Sequence, residues 1–211
     1  LHTNSRESQI LSSLIYDTLL YADPQSGKFA GLLAKSWTSV DDTTVELELR
    51  EGVRFHNGEA FDADDVVQTI AIVTNPENKL RQQEADFGNI RGAEKLGPFK
   101  VRLRLKKPDA MAEYLLANRL IIWPNDYTAA NSRQIHATKP VGTGPYAMRT
   151  LQPGRTYSLA RSDSYVAGAR PRPPSAPSTS ASSATYRLRS RNSPSGRSIC
   201  RSTFRPSSPK A

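Results

Sequence analysis

A chain of 211 residues is long enough for one or two domains with cores of their own. It contains no run of about 18 apolar residues that could form a membrane-spanning helix. The formal charge of +9 would suit a nucleic-acid binder, but residues 166–211 hold nine of the 29 Lys and Arg and none of the Asp and Glu, leaving 20 basic against 20 acidic residues in the body. A single cysteine, Cys200, excludes a disulfide framework and a Cys-based zinc site, and suits an exported body as well as a cytosolic one. The chain begins at Leu1 without a basic-then-apolar leader, so an export signal is expected upstream.

From Glu7 to Leu20, Ile10, Leu11, Leu14, Ile15 and Leu19 recur at helical spacing, which predicts an amphipathic helix with one buried face. "YADPQSGKF" breaks it with Pro24 and Gly27. "TVELELR" then alternates strictly, with Val45, Leu47 and Leu49 on one side and Glu46, Glu48 and Arg50 on the other, the pattern of a half-buried strand. Val53 and Phe55 continue the alternation and "HNG" supplies a turn. Asp62 stands where it can cap a helix running through "VVQTIAIV", with Asp64 and Asp65 favouring the positive end of its dipole.

"KVRLRLKKP" is a second alternating strand, with Val101, Leu103 and Leu105 opposite Lys100, Arg102, Arg104 and Lys106. Its basic face complements Glu46 and Glu48, so the two strands are expected to share a sheet. "DAMAEYLLANRLIIWP" reads as a helix followed by a short strand, and "YAMRTLQPGRTYSLARS" as a hairpin turned at Pro153 and Gly154.

Several patterns invite a chemical reading. His56, Glu59, Asp62 and Asp65 are possible metal ligands, but they straddle a turn and a helix start without a metal-ligand spacing; capping and solvation account for them, and no metal or cofactor is proposed. "PVGTGPY", residues 140–146, lacks the Gly-Lys-Ser/Thr ending of a phosphate loop and places Pro145 where a donor is needed, so a tight backbone crossing between subdomains is expected instead. His2, His56 and His136 sit in unrelated contexts and no Ser/His/Asp arrangement emerges, so the chain is not read as an enzyme. Trp37, Trp123 and Tyr146 are assigned to the core, although Trp123, close to Asn118 and Arg119, leans toward a cleft.

Four stretches in this order, "SLIYDTLLYADPQSGKFAGLLAKSW", "LELREGVRFHNGEAFDADDVVQTI", "VRLRLKKPDA" and "KPVGTGPYAM", followed by "LARSDSYVAGARP", resemble the extracytoplasmic solute-binding proteins of peptide and nickel ABC transporters, family 5. The resemblance covers about residues 1–170 and is most specific in the second stretch. It implies a mixed α/β fold: a lobe like that of the type II periplasmic binding proteins, with an extra subdomain, truncated before the second lobe. Such proteins are bilobed clamps that close around a solute and deliver it to a permease. The resemblance further implies that residues 1–30 start lobe I, 31–139 form the extra subdomain and 140–165 return to lobe I. The expected partners are a peptide or other small solute and an ABC permease in the inner membrane, with no nucleic acid; a monomer in the periplasm or cell envelope is expected. Thr3, Asn4 and Ser5 in the N-terminal loop, with Asn118, Arg119 and Trp123 before the crossing, are the candidates for the cleft wall that this part of the chain would supply.

Beyond Arg170 the resemblance is expected to stop. Residues 166–211 contain 12 Ser, 7 Pro and 8 Arg, a composition expected to be disordered. Read one base out of frame, a TCN serine becomes an NTC codon for Phe, Leu, Ile or Val, and "PSAPSTSASSAT", residues 174–185, becomes a strand-like apolar pattern. A shifted reading frame is therefore favoured over a functional basic tail. The alternative, from another class, is a basic-tailed protein interacting with nucleic acid or a membrane surface.

Overall fold

The computed structural model describes residues 6–80, 83–131, 133–152, 156–166, 168, 170, 186–189 and 201–204. The first helix, α1, spans Arg6–Ile15 and buries Leu11 and Ile15. It stops before the expected Leu20 because the chain turns away to meet other segments: Gly144 N donates to Ile15 O (2.8 Å) and Ile122 N to Asp17 O (3.2 Å). Leu19, expected on the helix, is buried in the extended stretch that follows. The Pro- and Gly-containing break is the turn of a small antiparallel hairpin, β1 (Leu20–Ala22) with β2 (Phe29–Gly31), in which Asp23 accepts bonds from Gln25 N and Ser26 Oγ.

A four-stranded antiparallel sheet follows, in the order β3 (Ala34–Asp41), β4 (Thr44–Leu49), β6 (Lys100–Leu105), β5 (Ile90–Gly97). The expected pairing of the acidic and basic strands holds: Glu46 lies opposite Arg102 and Glu48 opposite Lys100. Glu46 receives both Lys100 Nζ and Arg102 Nη2 at 2.7 Å, and these two hydrogen bonds, with the donors' charges contributing less, hold its carboxyl below the usual range. The other face, Val45, Leu47, Leu49, Val101, Leu103 and Leu105, is buried. The edge strands β3 and β5 each carry two register shifts, which interrupt the alternation that the inner strands keep.

Helix α2 (Ala63–Thr74) packs on β5 and β6 through Val66, Ile70 and Val73. Asp62 caps it as expected, and Asp65 completes the box by accepting from Asp62 N at 2.8 Å. A short 3₁₀ turn (Pro76–Asn78) and α3 (Gln83–Phe87) lead into β5. After β6 come α4 (Ala112–Asn118), α5 (Asn125–Ala130) and α6 (Arg133–Thr138). The short strand expected after α4 is reduced to one bridge, Thr18 with Ile121, because "LIIWP" threads between α1 and α2 and runs into Pro124.

The expected hairpin is present as β7 (Tyr146–Gln152) and β8 (Thr156–Arg161), while its turn at Pro153 and Gly154 lies outside the described residues. Two short strands, β9 (Tyr186–Arg189) and β10 (Arg201–Phe204), extend that sheet from β8. They fall within the stretch expected to be disordered: the open edge of β8 accepts the short alternating "YRLR" segment by backbone pairing. Among the described residues, the buried apolar side chains form two clusters, a large one around α2 and the four-stranded sheet, and a small one of Leu11, Ile15, Tyr16 and Leu159.

Candidate functional site

Loop 140–145 crosses the end of α1 at close quarters. A Cβ on Gly142 would run into Ile15 O and lie 2.7 Å from Tyr16 Cδ1; one on Gly144 would lie 2.6 Å from Ile15 C and 2.7 Å from Leu14 O. These glycines are required by space. The tight crossing expected from "PVGTGPY" is what the structure shows.

His56 reads this loop with three polar groups. Its backbone N donates to Gly142 O (2.9 Å), its Nε2 lies 2.8 Å from Gly144 O, and Gly142 N donates to its Nδ1 (3.4 Å). A carbonyl on one ring nitrogen and an N–H on the other fix the neutral Nε2–H tautomer. Burial holds the imidazole below its usual pKa, with the Gly144 bond acting in the opposite direction. The histidine singled out in the sequence is thus a tie between the "HNG" turn and the crossing loop. Among the described residues, no group of three or more His, Cys, Asp or Glu is placed to hold a metal ion.

Two buried carboxylates complete the region. Asp65 Oδ1 accepts from Asn125 N (2.7 Å), and one turn further along α2 Thr69 Oγ1 accepts from Trp123 N (3.1 Å), so α2 holds the strap 122–125 through its backbone. Asp17, 2% exposed, faces Thr143 Oγ1 (3.3 Å) and Arg170 Nη1 (3.2 Å). Burial pushes both carboxyls up to about 6; Arg170 and Thr143 pull Asp17 down in part, and the Asp62 and Asn125 amides do so for Asp65. Burial likewise raises the Tyr16 phenol, with Tyr127 a smaller contributor, so it stays protonated.

Of the residues predicted to line a cleft, Thr3, Asn4 and Ser5 lie outside the described residues. Asn118 ends α4, exposed, and donates to Tyr114 O (3.1 Å). Arg119 turns toward Asp86 of α3, Nε to Oδ1 at 3.7 Å. Trp123 goes elsewhere: it is half-buried at the seam and packs against both apolar clusters. Trp37 and Tyr146 also pack against these clusters, as expected of core aromatics. Asp17, Thr143, Arg170 and Thr69 were not singled out by sequence reasoning; the one available signal was a lone acid inside the apolar run "LIYDTLL".

Comparison with known proteins decides the family. The model for bacterial extracellular solute-binding proteins, family 5 (Middle), matches residues 28–178. The chain belongs to this family. Its match runs past Arg170, where the resemblance was expected to stop. The glutathione-binding protein GsiB of Salmonella paratyphi A is 30% identical over 148 residues, which is 70% of this chain and 28% of that one. The periplasmic binding protein DppA from Helicobacter pylori, solved with the peptide STSA, shares 25% identity at a TM-score of 0.71 over 78% of this chain and 36% of that one. NikA from Brucella suis, solved with Fe(III)-EDTA, shares 29% identity at a TM-score of 0.68, covering 82% and 34%. This family 5 chain therefore spans about 28% of the length of the curated relatives it matches, and its mixed α/β fold corresponds to about a third of the solved ones. The family is one of extracellular solute-binding proteins, not of enzymes.

Proposed function

We propose that the chain is part of the solute-binding component of an ABC importer for peptides, working in the periplasm or cell envelope and delivering its solute to an inner-membrane permease. The family match over residues 28–178 carries this reading. The choice of peptides draws on the glutathione-binding relatives and on the peptide-bound structures with similar folds.

In this reading residues 1–30 and 140–165 belong to lobe I and 31–139 to the extra subdomain. The two apolar clusters support the division: every buried member of the small one falls in the first group, and only Leu19 and Leu20 of the large one fall outside the second. Thr3, Asn4, Ser5, Asn118, Arg119 and Trp123 are the proposed contribution to the cleft wall. A clamp discriminates its closed from its open state through ligand contacts on both sides, so one side alone binds weakly.

Titration calorimetry of the 211-residue chain with di- and tripeptides is expected to show no micromolar binding, whereas the same chain continued to the full length of its relatives binds. Micromolar peptide affinity of the 211-residue chain would overturn the division of labour. Salt-sensitive binding to DNA that disappears on deleting residues 166–211 would overturn the reading itself.

A further inference from the structure

Four passes of the chain converge on Asp17. The end of α1 supplies the residue, the strap supplies Ile122 N to its carbonyl, the crossing loop supplies Thr143, and the segment after β8 returns to supply Arg170. That returning segment is closely seated. Ser162 N donates to Pro145 O (2.9 Å), Tyr165 is 3% exposed, and a Cβ on Gly168 would stand 2.9 Å from Leu32 O. The Arg170 side chain is only 21% exposed, and that of Asp17 only 2%.

The pair is poorly built as a source of stability. The carboxylate's contacts with Arg170 and Thr143 are long, 3.2 and 3.3 Å, and Arg170 reaches it through one nitrogen instead of the two-point fork that makes Arg–carboxylate pairs strong. A buried ion pair of this kind recovers little beyond the cost of removing its charges from water; its best-attested use is to select one arrangement over others. Apolar groups could seat the segment in several registers, but a single buried carboxylate accepts the guanidinium in one.

We propose that the Asp17–Arg170 pair is a register pin: it fixes residues 162–166, 168 and 170 against the end of α1 and the crossing loop. The proposal does not rest on the solute-binding reading.

The test is amide hydrogen exchange on the 211-residue chain, comparing wild type with R170M, R170K and the double variant D17N/R170M. In R170M, peptides covering 162–168 are expected to exchange about tenfold faster or more, while peptides covering β4 and β6 keep their rates. R170K is expected to fall between, because a lysine keeps the charge without the planar fork. The double variant separates a pin from a mere charge penalty: it is expected to recover the melting temperature lost in R170M, since no unpaired charge remains, yet to keep the fast exchange at 162–168. Unchanged exchange at 162–168 in R170M would overturn the proposal. So would a double variant in which exchange recovers together with the melting temperature, or acceleration spread equally over β4 and β6 in all three variants.

Discussion

Replacing Gly144 by alanine probes the crossing most directly. The new Cβ would be 2.6 Å from Ile15 C and 2.7 Å from both Ile15 O and Leu14 O, against an ordinary contact limit of 3.4 Å. All three neighbours are backbone, so no side chain can swing aside, and loop and helix end must separate by roughly 0.7 Å or more. That displacement stretches Gly144 N to Ile15 O (2.8 Å) beyond useful length and disturbs the loop's two bonds with His56, Nε2 to Gly144 O (2.8 Å) and His56 N to Gly142 O (2.9 Å). At about 1 kcal/mol for each net bond, and more for buried groups left unpaired, the loss is about 3–5 kcal/mol. Gly58 makes the control: it sits at φ +92° in the "HNG" turn with nothing within 4 Å of an added Cβ, so G58A meets backbone strain alone, about 1 kcal/mol. Urea denaturation at constant slope measures both. If G144A proves no more destabilising than G58A, the crossing does not have the steric role assigned to it.

The tautomer of His56 is open to nitrogen NMR, which is expected to show a neutral Nε2–H ring titrating below the ordinary value of 6.5; its contribution to stability is then present above 6.5 and lost as pH falls through the lower folded value, and an Nδ1–H ring or a pKa above 6.5 would contradict the geometry. Asp17 has the opposite sign. Its carboxyl is raised from 3.8 to about 6, so its favourable contribution is complete below pH 3.8 and disappears as pH rises through about 6. Wild-type stability minus that of D17N should accordingly fall by roughly 1–3 kcal/mol between about pH 4 and pH 7, and a constant difference would refute this. On the sheet, E46Q is expected to lower the melting temperature at low ionic strength and to have almost no effect in about 1 M salt, because Lys100 and Arg102 hold Glu46 on a solvent-facing surface; a salt-independent loss would assign Glu46 a packing role instead.

What could be read from the sequence was what depends on neighbours in sequence or on strict alternation. The pairing of β4 with β6 follows from complementary outward faces, and the start of α2 from Asp62, because both signals lie within a few residues. The edge strands were missed for the converse reason: "AKSWTSVD" and "IRGAEKLG" have little apolar alternation, since one edge is open and bulges interrupt each register. The end of α1 was placed too late because Ile15 O is satisfied by Gly144, a partner no local pattern reveals. The same holds for the site. His56 and the glycines of loop 140–145 drew attention through composition, yet only the fold shows that they bond to each other; Asp17, Thr143 and Arg170 look ordinary until three distant segments meet.

This family 5 chain spans about 28% of the length of its curated relatives, and we propose that it is one part of a longer solute-binding protein whose reading frame is displaced near the end of the region matched by the family. Sequencing the encoding DNA from well upstream of the Leu1 codon to well beyond the Ala211 codon tests it most directly. The expected result is a base gained or lost near the end of the matched residues 28–178 whose correction opens a frame continuing to the length of the relatives. The present frame confirmed through Ala211, with no family sequence in either of the other frames, would contradict it.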